Sequence, residues 1–313
     1  MRTLDVVLLT ADRYIAQASD NVLLNNVLEE NRLVENALKQ EGFRIATKSW
    51  SDPEFDWSST IFVLVRTPWD YFERSKEFKR WLNDTMKKTT FINSAGLIHW
   101  NMDKSYLQEL EQKGIRIPKT FFLKKGVDQS LKTAIKMAQN AFGKPCGTWV
   151  LKPCVAAGAF HTYTFQTAKV DDFEKRFKKL TAEADFMLQE FQESIVSRGE
   201  ISLILFEHEY SHAVLKKAKA GDFRVQDDFG GTVEPYNATQ DEIEFAKNVI
   251  GACHELPLFS RVDLLTDNEG RLALAELEIF EPELWFRFQP QAAEVMVQKL
   301  KKRAAQFNER PLG

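Results

Sequence analysis

Cysteine is scarce in this chain: Cys146, Cys154 and Cys253 are its three in 313 residues, and they are scattered. An odd, dispersed set supports neither a disulfide framework nor a structural zinc site, so free buried thiols are expected. Long apolar runs are missing as well. No segment reaches the roughly 20 apolar residues needed to cross a bilayer. The opening stretch from Met1 to Leu9 has one basic residue and an apolar run too short for a secretory signal. A cytoplasmic protein is the expectation. Charge of one sign is not in excess either: 42 basic residues face 45 acidic ones, a net of -3. No overall field therefore draws the chain to nucleic acid or to an anionic membrane, and a bound anion must meet local cations. Neither G-x-x-x-x-G-K-[ST] nor G-x-G-x-x-G occurs, so a P-loop or dinucleotide-binding turn is unsupported. No internal repeat or low-complexity tract is present.

At 44% hydrophobic and 28% charged, the chain can bury more than one core, and two or three modules are expected. In the first third, strand-like runs (Val6 to Thr10, Phe43 to Lys48, Ile61 to Val65, Thr90 to Ile92) alternate with helical ones. The helices are expected over about Val22 to Gln40, Tyr71 to Met86 and Met102 to Lys113. This βαβ rhythm predicts a parallel sheet. The set Val27, Leu28, Val34 and Leu38 fits one helical face, with Gly42 as the stop signal. Gly114 ends the third helix, and Pro118 leads into an extended Thr120 to Leu123. The middle third reads as a mixed unit: a helix over about Asp128 to Phe142, strands at Trp149 to Lys152, His161 to Phe165 and Phe186 to Phe191, and a helix near Val170 to Leu180. Two hairpins then follow, Ile201 to Phe206 with Tyr210 to Lys217, and Phe259 to Thr266 with Arg271 to Phe280, separated by a helix. A charged helix over about Pro290 to Phe307 closes the chain. The fold class is α/β followed by α+β, divided as 1–119, 120–192 and 193–313.

Glu276 and Glu278 carry the sharpest chemical signal. Two residues apart on an expected strand, they share a face while Ala275, Leu277 and Ile279 take the other. Like charges that close repel unless water or a cation intervenes, so the pair marks either a solvated strand or a hard-metal site. Asp263 favours the metal, because the hairpin register can set it beside Glu276 and bring three carboxylates together. Magnesium takes oxygen ligands and bridges to phosphates. A second signal is Lys152-Pro153 at a strand end, followed by Ala156-Ala157-Gly158-Ala159. Small residues there let backbone N–H groups approach phosphates, although a strand ending before a turn is also ordinary surface architecture.

In chain order these residues resemble the ATP-grasp superfamily of carboxylate–amine ligases, along nearly the whole chain. The resemblance implies an N-terminal parallel-sheet domain and two subdomains clasping ATP. Lys104, in Asn101-Met102-Asp103-Lys104, looks like the first ATP-contacting lysine and Lys152 like the second. The loop with Ala157 and Gly158 would cover the phosphates. Gln189, Glu190 and Phe191 are similar to the hinge that receives adenine, and Glu200 to the acid that binds ribose. Asp263, Glu276 and Glu278 fall where the family holds magnesium, with manganese a compatible substitute, and Arg224 matches an arginine used on the transferred phosphate. Relatives often carry a basic residue where this chain has Ser202. The implied reaction phosphorylates a small, amino-acid-like carboxylate from ATP, and an amine or similar nucleophile then attacks the acyl phosphate. Arg66-Thr67-Pro68-Trp69-Asp70-Tyr71 and Asp56-Trp57 look most like the branch containing the cyclo-ligase of D-cycloserine biosynthesis. On that likeness Arg66, Trp69 and Asp70 are candidate substrate residues, and Arg66 could instead serve a structural ion pair. Family analogy is compatible with a homodimer.

Two rival functions arise. His208-Glu209-Tyr210-Ser211-His212 spells the zinc-protease signature, but that chemistry needs a helix, and the flanks read as strands about a turn. A module that holds ATP without catalysis needs affinity alone, whereas this chain keeps both lysines, the acids and Arg224. Lys216, Lys217 and Lys219 either edge the nucleotide cleft or form a solvated strand face.

Overall fold

The computed structural model describes residues 2–15, 20–156, 158, 160–219, 221–222, 224–225 and 230–308. Among them the chain forms three sheets. The first is parallel, with β1 (Leu4–Thr10), β2 (Ile45–Ser49), β3 (Thr60–Thr67) and β4 (Thr90–Ile92) in the order β2-β1-β3-β4. Its central strands are apolar without alternation because both faces are covered. Val6 and Leu8 pack with α1 (Val22–Gln40) and the last helix, whereas Val7 and Leu9 pack with Trp50, Trp57 and α2 (Ser75–Thr85). Asn21 caps α1 by accepting from the Leu23 and Leu24 amides, and Gly42 leaves it at a φ of 85°.

The inner face of α1 differs from expectation. Val27, Val34 and Leu38 are buried as expected, but Leu28 is half-buried, and Glu30 and Asn31 are buried with them. The expected helix over Met102 to Lys113 is shorter, α4 (Tyr106–Gln112), and a separate helix, α3 (Ala95–Asn101), precedes it. Asp103 accepts a hydrogen bond from the Ser105 amide at 2.9 Å, a local side-chain bond that competes with helix and frees Lys104 from the helical run.

The second sheet is antiparallel, β5-β8-β6-β7, from β5 (Thr120–Leu123), β6 (Thr148–Pro153), β7 (Tyr163–Gln166) and β8 (Phe186–Glu190). It packs on α5 (Leu131–Phe142) and α6 (Val170–Glu183) in a core of its own. A short α7 (Ser194–Ser197) leads into the third sheet. That sheet has five antiparallel strands in the order β11-β10-β9-β12-β13: β9 (Glu200–Phe206), β10 (Glu209–Lys217), β11 (Thr232–Tyr236), β12 (Ser260–Thr266) and β13 (Leu272–Glu278). β11, which holds Pro235, is absent from the sequence expectation; it lies at the sheet edge, where proline is tolerated. One face of the sheet buries Leu203, Leu205, Val262 and Leu264 against α4 and α8 (Gln240–Gly251). The closing helix α9 (Gln291–Asn308) joins the third sheet to the first.

A buried ion pair stitches these layers. Arg66, with no exposed side-chain surface, donates through Nη2 to Glu30 at 2.6 Å and to the Pro282 carbonyl at 3.3 Å. Glu30 also accepts from the amides of Leu284 at 2.9 Å and Phe286 at 3.3 Å. A carboxylate on α1 thereby anchors the segment after β13 to the first sheet. Removing one member leaves an unpaired buried charge, which typically costs about 3–5 kcal/mol. Urea unfolding of Glu30→Ala is expected to show a loss of about that size, whereas a double Glu30→Leu, Arg66→Met variant is expected to lose clearly less.

Candidate functional site

The three sheets open onto one cavity of about 910 Å³. The third sheet supplies its charged wall, and strand register explains the arrangement. On β9, Glu200 lies opposite Lys216 of β10, and Ser202 lies opposite Asp263 of β12. On β13, Glu276 lies opposite Asp263, and Glu278 opposite Arg261. Alternation gives all of these side chains one face, which brings the acids and bases of neighbouring strands within reach of one another.

Each contact is short. Lys216 pairs with Glu200 and, at 3.1 Å, with Asp263. Asp263, 2% exposed, also accepts from Ser202 Oγ at 2.5 Å and from Arg261 Nη2 at 3.0 Å. Arg261 reaches on to Glu278. Lys104 Nζ pairs with Glu276 at 2.9 Å and donates to the Ala156 carbonyl at 2.6 Å. Burial pushes the Asp263 carboxyl up, yet Arg261 and then Lys216 hold it down to about 2. Burial likewise opposes ionisation of Glu276, and Lys104 and then Lys152 outweigh it. Glu278 lies well above the usual carboxylate range, because burial exceeds the pull of Arg261. Lys152 also lines the cavity, and among the described residues it has no carboxylate within 4 Å; burial lowers its ammonium. A desolvated lysine facing a cavity without a partner suits an anion.

The second sheet supplies Gln189, which donates to Thr120 Oγ1 at 2.7 Å, Glu190, paired with Lys144 at 3.0 Å, and beside them Phe191. Gly158 lines the cavity, while Ala157 lies outside the described residues. Arg224 lines it too and pairs with Asp222 at 2.7 Å.

Three expectations require correction. Arg66 does not line the cavity: its Nη2 pairs with Glu30, and its guanidinium lies by the rings of Phe259 and Phe286, the geometry of the structural ion pair. Asp70 does not line the cavity either. It accepts from Trp50 Nε1 at 2.6 Å and pairs with Arg74 at 3.3 Å, and of the substrate trio only Trp69 is on the wall. Asp263, Glu276 and Glu278 do not converge, because Arg261 and Lys216 stand among them, and among the described residues no group of three metal-binding side chains forms. Glu276 and Glu278 remain the oxygen donors that fit a hard divalent cation, partly open to the cavity on one strand face. The zinc-protease signature fails geometrically: His208 is in the turn after β9, and His212 is on β10 with Nε2 against the Leu284 carbonyl.

Several cavity residues escaped the sequence reading. Arg261 shares a strand face with Asp263, a spacing visible in the sequence. Of the lysines expected either to edge the cleft or to face solvent, Lys216 is buried on the cavity wall, whereas Lys217 is on the solvent side with Glu234 at 2.6 Å. Trp285, at a φ of 48°, presents its ring to Arg261 at 4.9 Å and Lys216 at 5.5 Å. Glu281, beyond the end of β13, has no periodic signal.

A parallel sheet followed by two antiparallel sheets that close on one cavity of lysines and carboxylates is the architecture of an ATP-grasp enzyme. Residues 102–279 match the RimK-like ATP-grasp domain, and residues 6–93 match the N-terminal domain of D-cycloserine synthetase DcsG. The chain belongs to the RimK-like ATP-grasp family, whose general reaction is ATP-dependent ligation of a carboxylate to an amine. It is 27% identical over 278 residues to the cycloserine biosynthesis protein DcsG of Streptomyces lavendulae, covering 85% of this chain and 91% of that one. The crystal structure of D-cycloserine synthetase DcsG superposes with a TM-score of 0.83 at 25% identity, covering 96% of this chain and 99% of that one. The ATP-grasp ligase PsnB, solved with a precursor variant, Mg and ADP, shares the fold at a TM-score of 0.61 and 12% identity, with 95% and 99% covered.

Gly199 tests the register of the charged wall. It precedes Glu200 at a φ of 90°, and a Cβ there would lie 2.3 Å from the Lys216 carbonyl oxygen. Gly199→Ala must therefore displace β9 from β10 just where Glu200 meets Lys216. Thermal melting and ADP titration are expected to show a stability loss above about 1 kcal/mol and weakened nucleotide binding.

Proposed function

We propose that this chain is an ADP-forming ligase that phosphorylates a small, amino-acid-like carboxylate and joins the resulting acyl phosphate to an amine or similar nucleophile. The observation that carries this reading is the lysine pair: Lys104 held at 2.9 Å from Glu276, and Lys152 facing the same cavity without a carboxylate partner among the described residues. ATP would insert its phosphates between them and draw Lys104 away from Glu276, freeing that carboxylate. Bound magnesium would neutralise phosphate charge, and Glu276 and Glu278 are the residues to hold it. Gln189, Glu190 and Phe191 would receive adenine, Glu200 the ribose, and Arg224 the transferred phosphoryl group.

The chain's own work is positioning and electrostatics. The substrate carboxylate attacks the terminal phosphorus, ADP leaves, and the nucleophile displaces phosphate from the acyl carbon. Lys104 and Lys152 offset charge on the leaving phosphates, while Arg261 and Arg224 face the charge developing on the transferred group. Aromatic walls such as Trp69 and Trp285 exclude water from the acyl phosphate. Likeness to DcsG along both segments favours an intramolecular attack, with one molecule supplying acid and nucleophile. The same reading divides the chain into a substrate-side module (1–119), a small ATP-binding module (120–192) and a larger module with the metal site (193–313). A homodimer is the assembly that family analogy supports.

Magnesium-dependent ADP release, assayed with ATP and a panel of single amino acids and amino-acid pairs, tests this function. Release is expected to require a carboxylate substrate and to fall about a hundredfold or more in Glu276→Gln. ADP release indifferent to every carboxylate, or unchanged in the variant, would refute the assignment.

A further inference from the structure

Charge balance within the cavity singles out Glu281. Among the described residues, each other buried or half-buried carboxylate on the wall has a cation within 4 Å. Glu190 has Lys144, Glu200 and Asp263 have Lys216, Glu276 has Lys104, Glu278 has Arg261 and Glu283 has Arg287. Glu281 has none, although it is 9% exposed and therefore as desolvated as its neighbours. The group that most lowers its carboxyl is the neutral hydroxyl of Tyr71, itself buried. A carboxylate accepts at several lone-pair positions, so one phenol leaves acceptor capacity unused.

The backbone around Glu281 is not free to carry the side chain elsewhere. Trp69 Nε1 donates to the Glu281 carbonyl at 2.9 Å, Arg66 donates to the next carbonyl, and Glu30 holds the amides of Leu284 and Phe286. The segment is pinned with Glu281 on the cavity wall, which Trp69, Tyr71, Phe280 and Trp285 also line. A rigid, desolvated anion with no cation within 4 Å is complementary to a small cation. Burial pushes the Glu281 carboxyl up to about 7, only partly offset by Tyr71 and Lys104, which is the signature of a missing counter-ion.

We infer that Glu281 is a specificity-determining residue that binds the protonated amino group of the amino-acid-like substrate. This inference rests on the ligase reading and adds to it the residue that recognises the substrate's amine.

The test uses a ligand that cannot be phosphorylated. Alaninamide, in each enantiomer, carries an ammonium group but no carboxylate, and lactamide replaces that ammonium with a hydroxyl. Both are titrated calorimetrically into the full-length protein loaded with ADP and magnesium at neutral pH. Wild type is expected to bind one alaninamide enantiomer on the order of tenfold or more tighter than lactamide, as a charge-assisted hydrogen bond allows. Glu281→Gln should abolish that preference while ADP affinity stays within about twofold, and Glu281→Asp, which keeps the charge, should retain part of it. ADP affinity and thermal melting report whether each variant is folded, so a misfolded Gln variant leaves the Asp variant to decide. Equal binding of both amides to wild type, no alaninamide binding, or a preference that survives in Glu281→Gln would overturn the inference. Loss in Glu281→Asp as complete as in the Gln variant would also overturn it. Failure of wild type to bind ADP would overturn the ligase reading and this inference together, whereas the other failures leave that reading standing.

Discussion

The antiparallel register of β9, β12 and β13 is the constraint on which the site depends. Acids and bases from distant parts of the chain meet because they occupy facing positions: Lys216 with Glu200, Asp263 with Ser202 and Glu276, Arg261 with Glu278. A one-residue slip would send every one of these charges to the apolar side of the sheet. Packing of that other side against α4 and α8 fixes the register, so the hydrophobic core and the charged wall enforce each other. In a poorly solvated cavity such pairs interact strongly, and an unpaired member is costly. The wall is thus a set of charges that ligands can redistribute but not simply expose.

A second constraint fixes the segment after β13. Carbonyls and amides from Glu281 to Phe286 are taken up by Glu30 on α1, Arg66 on β3 and Trp69 just after it, and by His212 and Arg261 on the third sheet. Trp285 lies in a backbone region that bulky residues seldom adopt, and the surrounding bonds hold it there. This strap lets a buried ion pair far from the phosphate-facing lysines set the position of Glu281 and of the Trp285 ring. Arg66 therefore acts on the cavity through the backbone rather than by touching what binds there.

Much of the fold is legible in the sequence because its signals are local. Unbroken apolar strands alternating with amphipathic helices describe the parallel sheet, and Glu276 and Glu278 declare their shared face through alternation. Asp263 is likewise legible as the partner of Glu276, since the polar turn sets the hairpin register. What resists reading depends on competition among contacts. The position of Arg66 after a strand is as suitable for a ligand contact as for a structural pair, and the outcome rests on Glu30, 36 residues earlier. Strand geometry alone predicts convergence of three carboxylates, but Arg261 and Lys216 claim Asp263. Glu281 lies past the last regular element, where no period constrains it, and its environment is assembled from Tyr71, Trp69 and the strap.

On the proposed function, the lysine pair and the carboxylates of β13 form the phosphate-binding half of the site. A crystal structure with a non-hydrolysable ATP analogue and magnesium is expected to show the phosphates between Lys104 and Lys152, the Lys104–Glu276 pair opened, and the cation on Glu276 and Glu278. Nucleotide bound away from both lysines, or bound with that pair still closed and no cation on β13, would contradict that function.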